Sequence, residues 1–178
     1  MIVTALIYSF GSISGCHINP AVTIALTFQK KFPFKDVLPY LIFQFSGAIV
    51  ASLTLRFLFP DSITLGETLP RGSEMQSFVL EFLLTFFLML TIIYSTRGEN
   101  KSFAPIAIGG VVGLEACFAG PICGASMNPA RSLAPALVNL NFDHLWLYIV
   151  ATILGALFAV VLDKVFICLL YTSPSPRD

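Results

Sequence analysis

The feature that most constrains the fold is a tripeptide that occurs twice. Asn19-Pro20-Ala21 and Asn128-Pro129-Ala130 stand 109 residues apart, each preceded by glycine at −8 and −4 and by isoleucine at −6. The register persists downstream, where Gly47-Ala48 follows Asn19 by 28 residues and Gly155-Ala156 follows Asn128 by 27. Together these matches read as a duplicated unit. Each tripeptide opens a helix for a physical reason. Asparagine is a preferred N-cap because its side-chain oxygen accepts from first-turn N–H groups. Proline suits the next position, where its missing N–H costs nothing and its φ is already helical. The apolar runs that follow, residues 22–28 and 132–138, are well short of the ~20 residues that cross a bilayer. They are half-helices. Paired short segments at matching positions of two inverted halves predict a site at the membrane midplane.

Composition makes a membrane the solvent. Of 178 residues, 56% are hydrophobic and 11% charged, with a mean hydropathy of +0.85, unlike a soluble domain. The formal net charge is zero and the lysines and arginines are confined to a few places, so nothing points to nucleic acid. Cys16, Cys117, Cys123 and Cys168 lie in or beside apolar stretches without zinc-type spacing. They are read as packing residues, and neither a metal nor a cofactor is expected. No signal peptide is expected either, because residues 1–5 carry no charged side chain.

Residues 1–14 form an apolar helix too short to span, and residues 37–59, 76–94, 103–119 and 145–170 form spans. Gly47, Ala48 and Ala51, and again Gly109, Gly110 and Gly113, predict small-residue faces for close helix approach. Lys30, Lys31, Lys35, Arg97 and Lys101 fall in two turns on one side, which the positive-inside rule makes cytoplasmic. The loops at residues 60–74 and 139–143 are then external. The half-helices therefore enter from opposite sides and meet N-terminus to N-terminus. A single domain is expected over residues 1–170, with repeat one at 1–59 and repeat two at 75–170.

The two motifs, with the run Gly-Ala-Ser-Met-Asn-Pro-Ala-Arg-Ser-Leu-Ala-Pro-Ala at residues 124–136, resemble the paired signatures of the aquaporin, or major intrinsic protein, family. They are most similar to its bacterial and nodulin-like branch, and the resemblance covers about residues 1–165. It implies an all-α polytopic membrane fold, an inverted repeat of six full helices and two pore half-helices. The first helix and the upper half of the second are expected to be missing, since an ammonium at Met1 would sit within hydrocarbon. Residues 171–178 match no family tail and are expected to be non-native. The resemblance further implies passive conduction of water and small neutral solutes across a lipid bilayer rather than enzymatic activity. A homotetramer in the plasma or cell membrane is implied as well.

The chemistry expected at the midplane is electrostatic. Each helix N-terminus carries about half a positive charge. At an effective dielectric of ~20 and ~4 Å, two of them cost a cation on the order of 4 kcal/mol, about a thousandfold in population. With their oxygens engaged in capping, Asn19 and Asn128 are expected to point their NH₂ donors at the lumen, so that a water there turns its hydrogens outward. Unwound backbone at residues 11–18 and 120–127 is expected to offer carbonyl acceptors.

Arg131 breaks the repeat, because Val22 holds the matching position. The resemblance makes Arg131 the arginine of an external selectivity filter. It assigns Ala125 and Ala116 to two further filter positions, and the fourth would lie two residues before Met1. Glu81 resembles a mid-helix glutamate that accepts hydrogen bonds from the second half-helix loop, and His17 and Val22 are grouped with it as pore-lining or supporting. Glu115 is either a structural acid bonded between helices or a pore-facing group. Two alanines predict a wide filter that passes glycerol, with neutral metalloid hydroxides as further candidates. Ser132 and Ala136 resemble the water-type pattern instead, whereas Tyr148-Ile149 resembles the nodulin-like branch. A secondary transporter is the alternative, since inverted repeats with broken helices occur there too, although no intramembrane carboxylate pair is evident. A non-conducting fragment of the channel is a third possibility.

Overall fold

The computed structural model describes residues 1–172. Among them seven α-helices follow in the order α1 (Ile2–Ser14), α2 (Pro20–Phe28), α3 (Val37–Leu58), α4 (Glu74–Ser95), α5 (Ala104–Cys123), α6 (Pro129–Asn139) and α7 (Leu145–Thr172). Of the tail expected to be non-native, residues 173–178 lie outside the described residues, and α7 runs through the two before them. With their flanking turns, α3, α4, α5 and α7 are long and apolar enough to cross a membrane, at 22 to 25 residues each. α1 is apolar but only 13 residues long.

The half-helices begin as the sequence predicts. Asn19 and Asn128 are extended N-caps at φ/ψ −153/118 and −153/114, each followed by proline. Asn19 Oδ1 accepts from the Ala21 N–H at 2.9 Å, and Asn128 Oδ1 from the Ala130 N–H at 3.0 Å. The segments leading into them are shorter than expected. Rather than unwinding at Gly11 and Gly120, α1 runs to Ser14 and α5 to Cys123, with Pro121 inside the last turn. The stop comes at Gly15 (φ 73) and Gly124 (φ 89), whose N–H groups bond to the carbonyls of Gly11 and Gly120 at 2.9 and 3.0 Å. The glycine at −4 is therefore a left-handed C-cap, a conformation other residues resist. Between each helix and the half-helix that follows it, non-helical backbone is confined to residues 15–19 and 124–128.

The two repeats interlock. α2 of the first packs against α7 of the second, and α6 of the second packs against α3 of the first. α4 lies along α7 and α5, and α1 lies against α5. One buried cluster joins Val22 and Ala25 of α2 to Met89 and Ile93 of α4 and Ala156 and Val160 of α7. Another joins Leu84 and Leu88 of α4 to Ile108, Ala119 and Cys123 of α5, with Ala125 and Met127. Inside lipid such contacts are favoured by close packing rather than by release of water. Gly155 is the tightest case: a Cβ there would strike the Phe82 carbonyl oxygen and lie 3.1 Å from the Phe86 nitrogen, so α7 and α4 meet backbone to backbone.

The other small faces fall short of expectation. Gly109 packs on Thr4 of α1, but a Cβ at Gly110, Gly113 or Gly47 would meet nothing within 4 Å. Packing cysteines are likewise only half the set, since Cys16 and Cys123 are buried while Cys117 and Cys168 are exposed. Phe57 projects from α3 with 83% exposure, as a lipid-facing side chain does.

The basic side is closed by one buried carboxylate. Asp163 of α7, 1% exposed, accepts from both terminal nitrogens of Arg97 at 2.6 Å and from Gln29 Nε2 at 2.9 Å. The end of α2, the α4–α5 turn and α7 are thereby tied together, and the hydrogen bonds that Arg97 donates to Asp163 hold its pKa above the ordinary value.

Candidate functional site

The two motif loops have the same backbone. After the C-cap glycine, Cys16 (φ 47) and Ile18 (φ 44) in the first loop match Ala125 (φ 42) and Met127 (φ 54) in the second. Left-handed non-glycine residues cost on the order of 1–3 kcal/mol each and persist only where surroundings hold them. The hold is reciprocal here. Asn19 Nδ2 donates to the Met127 carbonyl at 2.7 Å, and Asn128 Nδ2 donates to the Ile18 carbonyl at 2.9 Å. Each asparagine thus bonds the residue directly before the other, and α2 and α6 meet through their N-termini. This revises the expectation that both amide hydrogens face the lumen: one of each pair is engaged across the repeat. Asn19 is buried and Asn128 half-exposed.

The second loop is supported by a buried acid and a chain of hydroxyls. Glu81, 0% exposed, accepts from the Ser126 N–H on Oε1 at 2.8 Å and from the Met127 N–H on Oε2 at 2.9 Å. Thr68 Oγ1 donates to Ser132 Oγ at 2.7 Å, Ser132 meets Ser126 Oγ at 2.5 Å, and Ser126 Oγ donates to the Asn128 carbonyl at 2.9 Å. With one hydrogen per hydroxyl, the chain runs in a single direction from Thr68 to Asn128. Tyr148 adds a bond from its hydroxyl to the Cys123 carbonyl at 2.7 Å, taking up the end of α5.

The first loop uses Thr23 instead. Its hydroxyl donates to the Asn19 carbonyl at 3.1 Å and accepts from Gln44 Nε2 at 2.9 Å. The 3.0 Å contact with His17 Nδ1 is then a donation from the ring, because the one hydroxyl hydrogen is already placed. In the neutral ring this leaves Nε2 as an acceptor. Phe32 and Tyr40 flank the imidazole, with centroids 4.8 and 5.4 Å away.

A cleft of about 1000 Å³ opens beside these loops, and His17, Ile18, Asn128, Ala130 and Arg131 border it. The small face of Gly47, Ala48 and Ala51 borders it too, so a Cβ at Gly47 would point into open space. Arg131 extends into the cleft and donates from Nη1 to the Gly66 carbonyl at 2.5 Å. The remaining sequence-selected residues divide between core and surface. Pro20, Ala21, Val22 and Pro129 are buried, Val22 within the α2–α4–α7 cluster. Ala125 is buried against α4 and α5, Ala116 is exposed on α5, and neither borders the cleft. Glu115 is buried, and its Oε2 has no hydrogen-bond partner.

Several supporting residues were not singled out from the sequence. Thr23 had a signal, since a hydroxyl stands four residues after each motif asparagine, at Thr23 and Ser132. Gly66 and Thr68 had none, because they meet α6 from a loop 65 and 64 residues away in the chain.

Comparison with known proteins bears on the fold. The family profile described as Major intrinsic protein matches residues 1–162. Nodulin-26 of Glycine max is 44% identical over 161 residues, covering 88% of this chain and 59% of that protein. Aquaporin NIP3-1 of Arabidopsis thaliana is 47% identical over 167 residues, covering 88% of this chain and 52% of that protein. The chain thus spans about half the length of the curated relatives it matches. The X-ray structure of the aquaglyceroporin from Plasmodium falciparum shares the fold, with a TM-score of 0.77 at 24% identity over 90% of this chain and 76% of that one.

Proposed function

The chain belongs to the major intrinsic protein family, a multi-pass membrane fold, and on that premise we propose that it works as a passive channel for water and small neutral solutes such as glycerol. The observation that carries the proposal is the meeting of α2 and α6 N-terminus to N-terminus, with Asn19 and Asn128 crossed between the repeats. A cation at that point faces two positive helix ends, at a cost on the order of 4 kcal/mol. A neutral solute escapes that cost. The second amide hydrogen of Asn128, which borders the cleft, is the donor that a passing water oxygen meets, and Asn19, buried beside it, holds the Met127 carbonyl. Nε2 of neutral His17 is an acceptor on the basic side, so a water there gives up a hydrogen where the midplane water gives a lone pair. A file of waters oriented this way cannot relay protons freely.

Arg131 acts in this proposal as the filter on the side away from the basic turns, where a fixed guanidinium repels cations and donates to solute oxygens. Its place on the cleft supports that role. Ala116 and Ala125 are assigned to the same filter on the sequence match, and their small size favours glycerol-width solutes. The turns with Lys30, Lys31, Lys35, Arg97 and Lys101 are cytoplasmic. The assembly is a homotetramer with one pore per subunit, in the plasma membrane.

The test is flux into vesicles carrying the protein expressed from its complete coding sequence. Water and glycerol uptake should rise in proportion to the solute gradient and ignore imposed sodium and proton gradients. Saturation at millimolar glycerol, or acceleration by either ion gradient, would favour a secondary transporter and overturn the proposal.

A further inference from the structure

The loop between α3 and α4 carries no motif, yet one carboxylate ties it to the half-helix that bears Arg131. Glu67 accepts on both oxygens, from Asn139 Nδ2 at 2.6 Å and from Asn141 Nδ2 at 3.0 Å. Asn139 is the last residue of α6, and the Asn141 N–H is fixed on the Ala136 carbonyl at 3.0 Å. Both donors therefore ride on the far end of α6, eight residues or about 12 Å from Arg131. The same Asn139 amide reaches the Thr64 carbonyl at 3.0 Å, and its Oδ1 accepts from Arg56 of α3. The residues on either side of Glu67 touch the site. Gly66 gives its carbonyl to Arg131 at 2.5 Å, and Thr68 gives its hydroxyl to Ser132 at 2.7 Å. Leu65 and Gly66 are both left-handed, at φ 46 and 76; glycine adopts this freely, but Leu65 stays there only where it is held.

We propose that Glu67 is a positioning residue for Arg131: anchored on Asn139 and Asn141, it fixes the Gly66 carbonyl, and that carbonyl fixes where the guanidinium stands in the cleft. The inference rests on the reading of Arg131 as a filter residue. An arginine side chain is long and loses much rotamer freedom when held. A charge-assisted bond to one fixed carbonyl is what selects its position. The loop acts as a strap that runs back along α6 and is buckled at its far end. Cutting the buckle frees the guanidinium to sweep the cleft, which obstructs glycerol more than water.

Two readouts test this in the protein expressed from its complete coding sequence. The first is the rate at which phenylglyoxal modifies Arg131, followed by mass spectrometry. Glu67→Ala should raise that rate about fivefold, the factor that corresponds to an ordinary hydrogen bond lost. Glu67→Gln combined with Asn141→Asp exchanges donor and acceptor across one arm of the buckle and should restore the slow rate, whereas Glu67→Gln alone should not. The second readout is the glycerol-to-water permeability ratio, which Glu67→Ala should lower about fivefold, but not in an Arg131→Val background. An unchanged modification rate in Glu67→Ala, or no restoration in the exchanged pair, overturns the proposal whatever the ratio does. An equal drop in the ratio with and without Arg131 overturns it as well. If the modification rate responds but Arg131→Val leaves the ratio untouched, the buckle stands and the filter role of Arg131 falls.

Discussion

Asn19 and Asn128 each serve both repeats, capping their own half-helix with an oxygen and bonding the opposite loop with an amide hydrogen. The cap is local chemistry and was legible in the sequence as Asn-Pro. The crossed bond was not, because its partners lie 108 and 110 residues apart, and nothing in the local pattern at Ile18 or Met127 announces it. Glu81 lies between these cases. Its identity as an acceptor of loop N–H groups came from the resemblance, while its two partners, Ser126 and Met127, came from the structure. Removing that carboxyl leaves two N–H groups unpaired in a buried site, each at about 1–3 kcal/mol. Glu81→Ala is therefore expected to lose about 2–6 kcal/mol of stability, and Glu81→Gln, which keeps one acceptor, about half as much. Unfolding midpoints in detergent measure this, and a Glu81→Ala protein as stable as the parent would show that the loop is held by other contacts.

The helices themselves were largely legible. The spans expected at residues 37–59 and 76–94 appear as α3 (Val37–Leu58) and α4 (Glu74–Ser95), because unbroken apolar runs between polar turns leave few alternatives. The helix expected at residues 1–14 ends where α1 does, at Ser14. However, α5, expected to end at residue 119, runs to Cys123 and both unwound segments start later than expected, since a glycine eight residues before the asparagine looks as disruptive as one four before it. Only the second is left-handed. Small-residue faces were overread for a related reason: a glycine permits close approach but does not say whether a neighbour comes. Gly155 and Gly110 make the difference measurable. Alanine should stabilise an exposed or open helical position by up to about 1 kcal/mol, so Gly110→Ala, where a Cβ meets nothing within 4 Å, should be neutral or stabilising. Gly155→Ala should instead cost about 1–3 kcal/mol, because its Cβ collides with the α4 backbone. Thermal unfolding of the two variants side by side should give opposite signs. Like signs would mean that α7 and α4 do not meet backbone to backbone at Gly155.

At the scale of the molecule, duplication is what made the fold class readable. Two capped half-helices in register leave an inverted repeat as the economical solution, and the interlocking of α2 with α7 and of α6 with α3 realises it. The proposed filter was less legible, because the residues assigned to it come from separate elements. Arg131 borders the cleft, Ala116 and Ala125 do not, and the Gly66 carbonyl on Arg131 belongs to a loop without a motif. The central claim is that two opposed helix N-termini admit neutral solutes and exclude cations. It is tested most directly by recording cation current and water flux in one vesicle preparation of the protein expressed from its complete coding sequence. Aspartate still caps a helix, so Asn128→Asp keeps α6 while placing a negative charge where two positive ends meet. Asn128→Ala loses the same bond to Ile18 without adding charge and serves as the reference. The account predicts that Asn128→Asp raises cation current at least about tenfold above Asn128→Ala, equivalent to ~1.4 kcal/mol of the barrier, with water flux retained. Arg131→Val should leak only modestly, since the central barrier remains. A current in Asn128→Asp no larger than in Asn128→Ala, or an Arg131→Val leak as large as that of Asn128→Asp, would contradict it.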